Sequence, residues 1–168
     1  MSIIKNFIII IFVTTFIGQV NAEEVKKMGT HKDWETYVVN SDSGKVCFAQ
    51  SKPILQSPKK ESREARLFIS FRPGEKITNE ISVTGGYKFN NKNTITATSG
   101  KSKYKFDIAQ EGFAWIADNK LENKMIKTMK KGSRIMITGH NQKGSQTIDH
   151  YSLLGFTKAY NAAKTSCS

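Results

Sequence analysis

The sequence predicts a mainly β fold, an antiparallel β-sandwich or barrel-like domain with one internal helix and a short C-terminal helix. Three observations lead there. Short runs rich in β-branched and aromatic residues recur along the chain, each bounded by Gly, Pro, Asn, Asp or Ser. The apolar period lengthens from two to about 3.6 only around residues 118–132 and again close to the C-terminus. No long crossover helices alternate with the strands, which disfavours a doubly wound parallel sheet. Roughly eight or nine short strands at regular spacing fit a sandwich or barrel.

The elements follow in order. Residues 23–32 are polar and charged and read as a loose lead-in. Residues 33–40, Asp-Trp-Glu-Thr-Tyr-Val-Val-Asn, read as a strand. Ser41-Asp42-Ser43-Gly44 is a turn, and residues 45–51 resume as a strand, so the two predict a hairpin. Residues 52–65 hold Pro53, Pro58 and a charge run from Lys59 to Glu64, and read as an exposed loop. Residues 66–72 carry Leu67, Phe68, Ile69 and Phe71, a strand buried on much of both faces. Arg72-Pro73-Gly74-Glu75 places Pro and Gly at the centre of a type II turn.

Residues 79–84 put Ile81 and Val83 at strand spacing, and Gly85-Gly86 breaks the run. Residues 94–98 and 104–108 alternate on either side of Ser99-Gly100-Lys101-Ser102 and predict a second hairpin, with 112–116 as another short strand. Then Asp118-Asn119 offers an N-cap. Leu121, Met125, Ile126 and Met129 form a helical stripe, Lys130-Lys131 suits the last turn and Gly132 the stop. Strands over 133–138 and 146–154 flank the turn 142–145. Residues 155–164 predict a closing helix with Phe156, Ala159, Tyr160 and Ala163 inward.

The N-terminus reads as a secretory signal. Lys5 precedes an apolar run over residues 7–17, then Val20-Asn21-Ala22 and the charged Glu23-Glu24. That run falls well short of the roughly 20 residues a spanning helix needs. The expectation is a signal peptide over residues 1–22, cleaved after Ala22, with residues 23–168 as one domain, periplasmic or secreted. In such a compartment an even cysteine count reads as a disulfide, here Cys47–Cys167. Two cysteines without closely spaced His or Cys do not complete a tetrahedral metal set, and no phosphate loop or nucleotide fingerprint is present, so no cofactor is expected.

The pattern of short motifs resembles one family. The matching stretches are Asp33-Trp34, Gly44-Lys45-Val46-Cys47-Phe48-Ala49 and Ser51-Lys52-Pro53, then Arg72-Pro73-Gly74-Glu75, Asn79-Glu80-Ile81-Ser82 and Gly86-Tyr87-Lys88-Phe89. Ala114-Trp115 and Met129-Lys130-Lys131-Gly132-Ser133 follow. The last stretch has Gly144, Thr147, Asp149, Tyr151-Ser152-Leu153 and Gly155-Phe156-Thr157, with Cys167 beyond it. In this order and spacing the mature chain resembles the invasion-associated locus B family of alphaproteobacterial envelope proteins. The resemblance implies a periplasmic or surface-associated protein of a family linked to host-cell invasion. It brings no catalytic residues with it. Some members have a further cysteine shortly after the tryptophan, where Thr36-Tyr37-Val38-Val39 has none, so only Cys47–Cys167 carries over.

Functional candidates from the residues themselves are few. His150 neighbours Asp149, with Ser145 and Ser152 nearby, but adjacent strand residues point to opposite faces, so the pair is not poised as a triad. Asp33, Glu35, Asp42, Glu80 and Asp107 are acids on strands or turns, and nothing in the sequence selects a pair for glycoside chemistry.

Formal net charge is +12, from 26 Lys and Arg against 14 Asp and Glu. Lys101, Lys103 and Lys105 share a strand face by period two, and Lys120, Lys124, Lys127, Lys130 and Lys131 load the exposed side of the helix. These faces could dock anionic envelope components, or simply stay solvated and blunt a sheet edge. Nucleic acid is not an expected partner, since there is no recognition helix or stacking motif. Trp34, Phe68, Phe71, Trp115, Tyr151 and Phe156 read as core in preference to a carbohydrate platform. The function that follows is an exported, non-catalytic protein that binds surface or envelope components or another envelope protein. A hydrolase of envelope polymers and a chaperone-like protein using a free sheet edge are the alternatives.

Overall fold

A computed structural model describes residues 24–41, 44–59 and 63–168. The expected signal peptide, residues 1–22, and the tips of the 41–44 turn and the 59–64 charge run lie outside the described residues. Among the described residues twelve strands form two antiparallel sheets, and these sheets do not close into a barrel.

The larger sheet begins with β1 (Glu24–His31), β2 (Trp34–Ser41) and β3 (Gly44–Ser51). It continues with β5 (Arg66–Arg72), β6 (Ile77–Thr84), β10 (Phe113–Trp115) and β9 (Ile108–Gln110). Its strand order is β1-β2-β3-β5-β6-β10-β9. The smaller sheet has the order β4-β12-β11-β7-β8. Its members are β4 (Leu55–Ser57), β12 (Gln146–Ser152), β11 (Arg134–His140), β7 (Ile95–Ser99) and β8 (Ser102–Phe106).

The three expected hairpins form: β2 pairs with β3, β7 with β8, and β11 with β12. The two helices form as well, α1 (Asn119–Lys131) and α2 (Phe156–Ser166).

Four local expectations are corrected. Residues 24–31 are not loose but form edge strand β1, held to β2 by backbone pairing with a bulge between Lys27 and Gly29. Its side chains are almost all exposed, so no apolar alternation marks it. The 52–65 loop contains β4, three residues that pair with β12. Residues 104–108 are not one strand. Phe106 ends β8 in the small sheet, and Ile108 starts β9 in the large one, with the Asp107 amide donating to the Trp115 carbonyl at 2.9 Å. Residues 72–75 form a 3-10 turn over Pro73–Glu75, closed by Lys76 in the left-handed region at φ 57°.

One core joins the layers. Trp34, Ala49, Leu67, Ile69, Ile81, Val83 and Ala114 of the large sheet meet Ile135, Ile137 and Tyr151 of the small one. Each fully buried aliphatic or aromatic side chain contributes roughly 1.5–3 kcal/mol. Helix α2 covers the β1-β2-β3-β5 end of this layer, with the Phe156 ring edge-on to Trp34 at 4.9 Å and Tyr160 against Phe71 at 5.5 Å. The helix can start there because Gly155, at φ +90°, carries no Cβ; one would fall 1.8 Å from the His31 carbonyl oxygen. At its far end Cys167 is bonded to Cys47 of β3, with Cα atoms 5.8 Å apart.

This bridge closes a loop across a sequence separation of 120. Cys47→Ser with Cys167→Ser is expected to lower unfolding free energy by about 3–4 kcal/mol, most of it through the freed unfolded chain. Urea unfolding of the oxidised protein and the double variant checks this, and coincident midpoints would refute it.

Candidate functional site

Helix α1 organises the features that could act on a partner. Asp118 caps it, its carboxylate accepting the Lys120 amide at 2.8 Å, and Lys130 and Lys131 sit where the helix dipole favours cations. Glu122, Met125, Ile126 and Met129 form its buried face. Lys120, Lys124, Lys127 and Lys131 recur at i, i+4, i+7 and i+11, so they form one exposed stripe. Among the described residues none of them lies within 4 Å of a carboxylate.

Lys130 lies over the Tyr160 ring at 3.9 Å. Partial burial, and then the charge of Lys164 on α2, hold its pKa below the usual lysine value. The basic stripe of α1 therefore runs onto α2.

The lysines of β8 belong elsewhere. Lys103 and Lys105 point to the opposite side of the strand from Tyr104, whose hydroxyl meets Thr128 of α1 at 2.6 Å. Lys101 lies in the turn before β8 rather than on its face. The lysines of β8 and those of α1 thus lie on separate surfaces. Lys105 also approaches Asp107 at 3.8 Å.

Asp149 and His150 do diverge. Asp149 is buried and held by the Arg63 fork, Nη2 to Oδ1 at 2.6 Å and Nη1 to Oδ2 at 3.0 Å, with Gln56 adding a contact at 3.4 Å. Arg63 also donates to the Gly85 carbonyl and lies against the Tyr87 ring. A charge pair this buried, removed on one side, leaves the other charge stranded. Its role is to pin the chain leading into β5 onto β12. His150 sits half-buried on the other face.

The acids that do share a cavity are Glu80 and Glu122. Strand β10 is three residues long and pairs only with Ser82, Val83 and Thr84 of β6. The Ile81 amide lies just beyond that pairing, and Glu122 Oε1 accepts it at 2.8 Å. In front of this contact opens a cleft of about 490 Å³, lined by Arg72, Glu80, Gln110, Trp115, Asn119 and Glu122 among others. Arg72 grips Glu80 with both nitrogens, at 2.8 and 2.7 Å, and reaches Glu75 at 3.1 Å. Glu122 titrates at about 7: burial raises it, the Ile81 hydrogen bond partly offsets that, and the charges of Glu80 and Asp118 raise it further.

Two aromatics expected in the core are not there. Phe68 and Trp115 occupy the outer face of the large sheet, only partly buried. They join a row in which Tyr37 stacks on Phe48 at 5.2 Å, Phe48 meets Phe68 at 6.0 Å, Phe68 meets Phe113 at 6.1 Å, and Phe113 meets Trp115 at 5.9 Å. The row ends at the cleft. Trp34, Phe71, Tyr151 and Phe156 are core, as expected.

Sequence reasoning did not select Glu122, although its spacing to Met125, Ile126 and Met129 places it on the apolar face. The alternation of Tyr37, Phe48, Phe68, Phe113 and Trp115 with inward residues was the corresponding signal for the outer row. No group of three or more His, Cys, Asp or Glu suited to a metal occurs among the described residues. No helix there is long and apolar enough to cross a membrane.

These features define a class: a two-sheet β protein, closed by one disulfide, in which a lysine-faced helix walls an open cleft. The chain belongs to the invasion associated locus B (IalB) family, whose model matches residues 34–164. It is similar in fold to the crystal structure of invasion associated protein b from Bartonella henselae. The TM-score is 0.58 at 13% identity, over 82% of this chain and 96% of that one. No curated protein matches the chain in sequence.

The buried Glu122 gives stability a pH dependence of defined sign. Its folded pKa of about 7 lies above the ordinary 4.5, so ionisation opposes folding. There is no penalty below the ordinary value, where both states are protonated, and the full penalty appears once the pH exceeds the folded one. Wild type is expected to lose on the order of 2–3 kcal/mol between these limits, which Glu122→Gln retains. Urea midpoints measured against pH for both proteins check this, and parallel profiles would refute it.

Proposed function

We propose that this protein is an exported envelope protein, periplasmic or secreted after cleavage behind Ala22, that acts by binding and not by catalysis. The basic face of α1 docks it on anionic envelope components. The observation that carries this is the stripe Lys120, Lys124, Lys127 and Lys131, exposed along one side of a capped helix and free of carboxylate partners among the described residues. Lys130 and Lys164 extend the same positive surface across to α2. The association with host invasion that the family's name carries applies here as part of the same proposal.

The geometry supports binding over hydrolysis of an envelope polymer. Arg72 engages both oxygens of Glu80, and Glu122 is engaged with a backbone amide, so each acid of the cleft already has a structural partner. A chaperone-like use of a sheet edge is less favoured. Edge strand β1 carries a bulge together with Lys26 and Lys27, and edge strand β8 carries Lys103 and Lys105, devices that blunt edges.

Co-sedimentation with vesicles tests the reading. The protein should bind phosphatidylglycerol vesicles and not phosphatidylcholine vesicles, and release them as salt rises. Replacing the four stripe lysines by Gln should weaken binding by at least about 100-fold, at roughly 1 kcal/mol per lysine. Equal capture of both vesicle types, or an unchanged affinity in the fourfold variant, would refute it.

A further inference from the structure

We propose that the cleft beside Glu122 and the aromatic row leading from it bind an uncharged oligosaccharide. This goes beyond the docking role of the lysine stripe and does not depend on it. The two surfaces lie on different sides of α1.

Three observations carry the proposal. The first is the platform. A pyranose presents an apolar C–H face and a rim of hydroxyls. It is recognised by an aromatic ring below and planar hydrogen-bonding groups at its edge, because stacking removes the apolar face from water while the hydroxyls keep polar partners. Trp115 supplies a partly exposed ring at the cleft, and Phe113, Phe68, Phe48 and Tyr37 continue an aromatic surface across β10, β5, β3 and β2, its rings tilted against one another except for the stacked pair Tyr37–Phe48. An extended chain of sugars could therefore run out of the cleft over successive rings.

The second is the rim. Glu80 and Arg72 are locked against each other by a two-point contact, and Gln110 and Asn119 lie in the same lining. Further along the row Glu35 is held by the Tyr37 hydroxyl at 2.9 Å and the Gln50 amide at 3.3 Å. Arg72, Glu80 and Glu35 are thus held in place before any ligand arrives, which spares part of the ordering cost of binding. The cleft volume falls within the roughly 300–1,000 Å³ usual for ligand sites.

The third is charge. In a chain of net charge +12 this face is balanced. Lys27 pairs with Glu35, Arg66 with Glu64, and Arg72 with Glu75 and Glu80. Lys76 is the one cation of the cleft lining without a carboxylate within 4 Å among the described residues, and Glu122 lines the same cleft. An anionic ligand finds free lysines on α1 and few here, so the complementary ligand is polar and uncharged.

Titration of the oxidised protein with neutral tetrasaccharides of glucose, mannose and N-acetylglucosamine tests this, followed by tryptophan emission and calorimetry. Only two tryptophans exist and Trp34 is fully buried, so a change in emission reports Trp115. At least one tetrasaccharide should bind and shift the emission, with an affinity indifferent to salt. Trp115→Ala should weaken it by at least about tenfold, and Gln110→Ala, at an exposed lining position, should weaken it without affecting the fold. The fourfold lysine variant should bind the sugar as wild type does, which separates this site from vesicle docking. Cleavage of the bound sugar would also support the site, since it requires the same complex. Absence of heat and emission change with all three sugars, undiminished binding by Trp115→Ala, or binding restricted to charged saccharides would overturn it.

Discussion

The placement of α1 turns on one unmet hydrogen bond. Strand β6 runs for eight residues, but its neighbour β10 runs for three, so the Ile81 amide is left in the interior without a strand to accept it. A buried amide without an acceptor costs about as much as several ordinary contacts gain. Glu122 supplies the acceptor, and it does so only if α1 lies along the open flank of β6. Met125, Ile126 and Met129 then face the core, the lysines at i, i+4, i+7 and i+11 turn to solvent, and the space between the first half of β6 and the helix start becomes the cleft. A carboxylate is an expensive acceptor in such a place. The molecule holds it near its neutral form, and the cleft in front of it gives the second oxygen a polar outlook.

The rest of the molecule fixes the two ends of this arrangement. At one end α2 closes over the β1-β2-β3-β5 portion of the large sheet, its start admitted by Gly155 beneath the His31 carbonyl and its finish bonded to β3 through Cys167. At the other, the Arg63–Asp149 pair fastens the chain before β5 to β12 in the small sheet. Both link segments far apart in sequence, and both leave the outer face of the large sheet untouched. That face is where the aromatic row lies.

What could be read in the sequence was whatever carried a period or a cap. The helices announced themselves through Asp118, Gly132 and the inward set Phe156, Ala159, Tyr160 and Ala163. The hairpins did so through their turns. Edge strands β1 and β4 did not, because an edge strand joined by its backbone needs no apolar face, and Val25 and Met28 of β1 are in fact exposed. The break at Asp107 escaped because the alternation of Tyr104, Phe106 and Ile108 runs straight through the change of sheet. Phe68 and Trp115 were misplaced for a different reason. A strand with apolar residues on both sides does not say which side is buried, and only the partner layers decide. Period alone groups Lys101 with Lys103 and Lys105, but Lys101 lies in the turn that precedes β8. Glu122 stood in the apolar stripe all along, but its acceptor role depends on the length of β10, which no local pattern records.

The most direct test of this account is amide hydrogen exchange at Ile81, read residue by residue in the wild-type protein and in Glu122→Ala. A slow Ile81 amide is expected in wild type and a selective acceleration in the variant, with Val83, held by strand pairing, still protected. An Ile81 amide that exchanges equally fast in both proteins, or equally slowly in both, would mean that the helix is seated by something other than this bond.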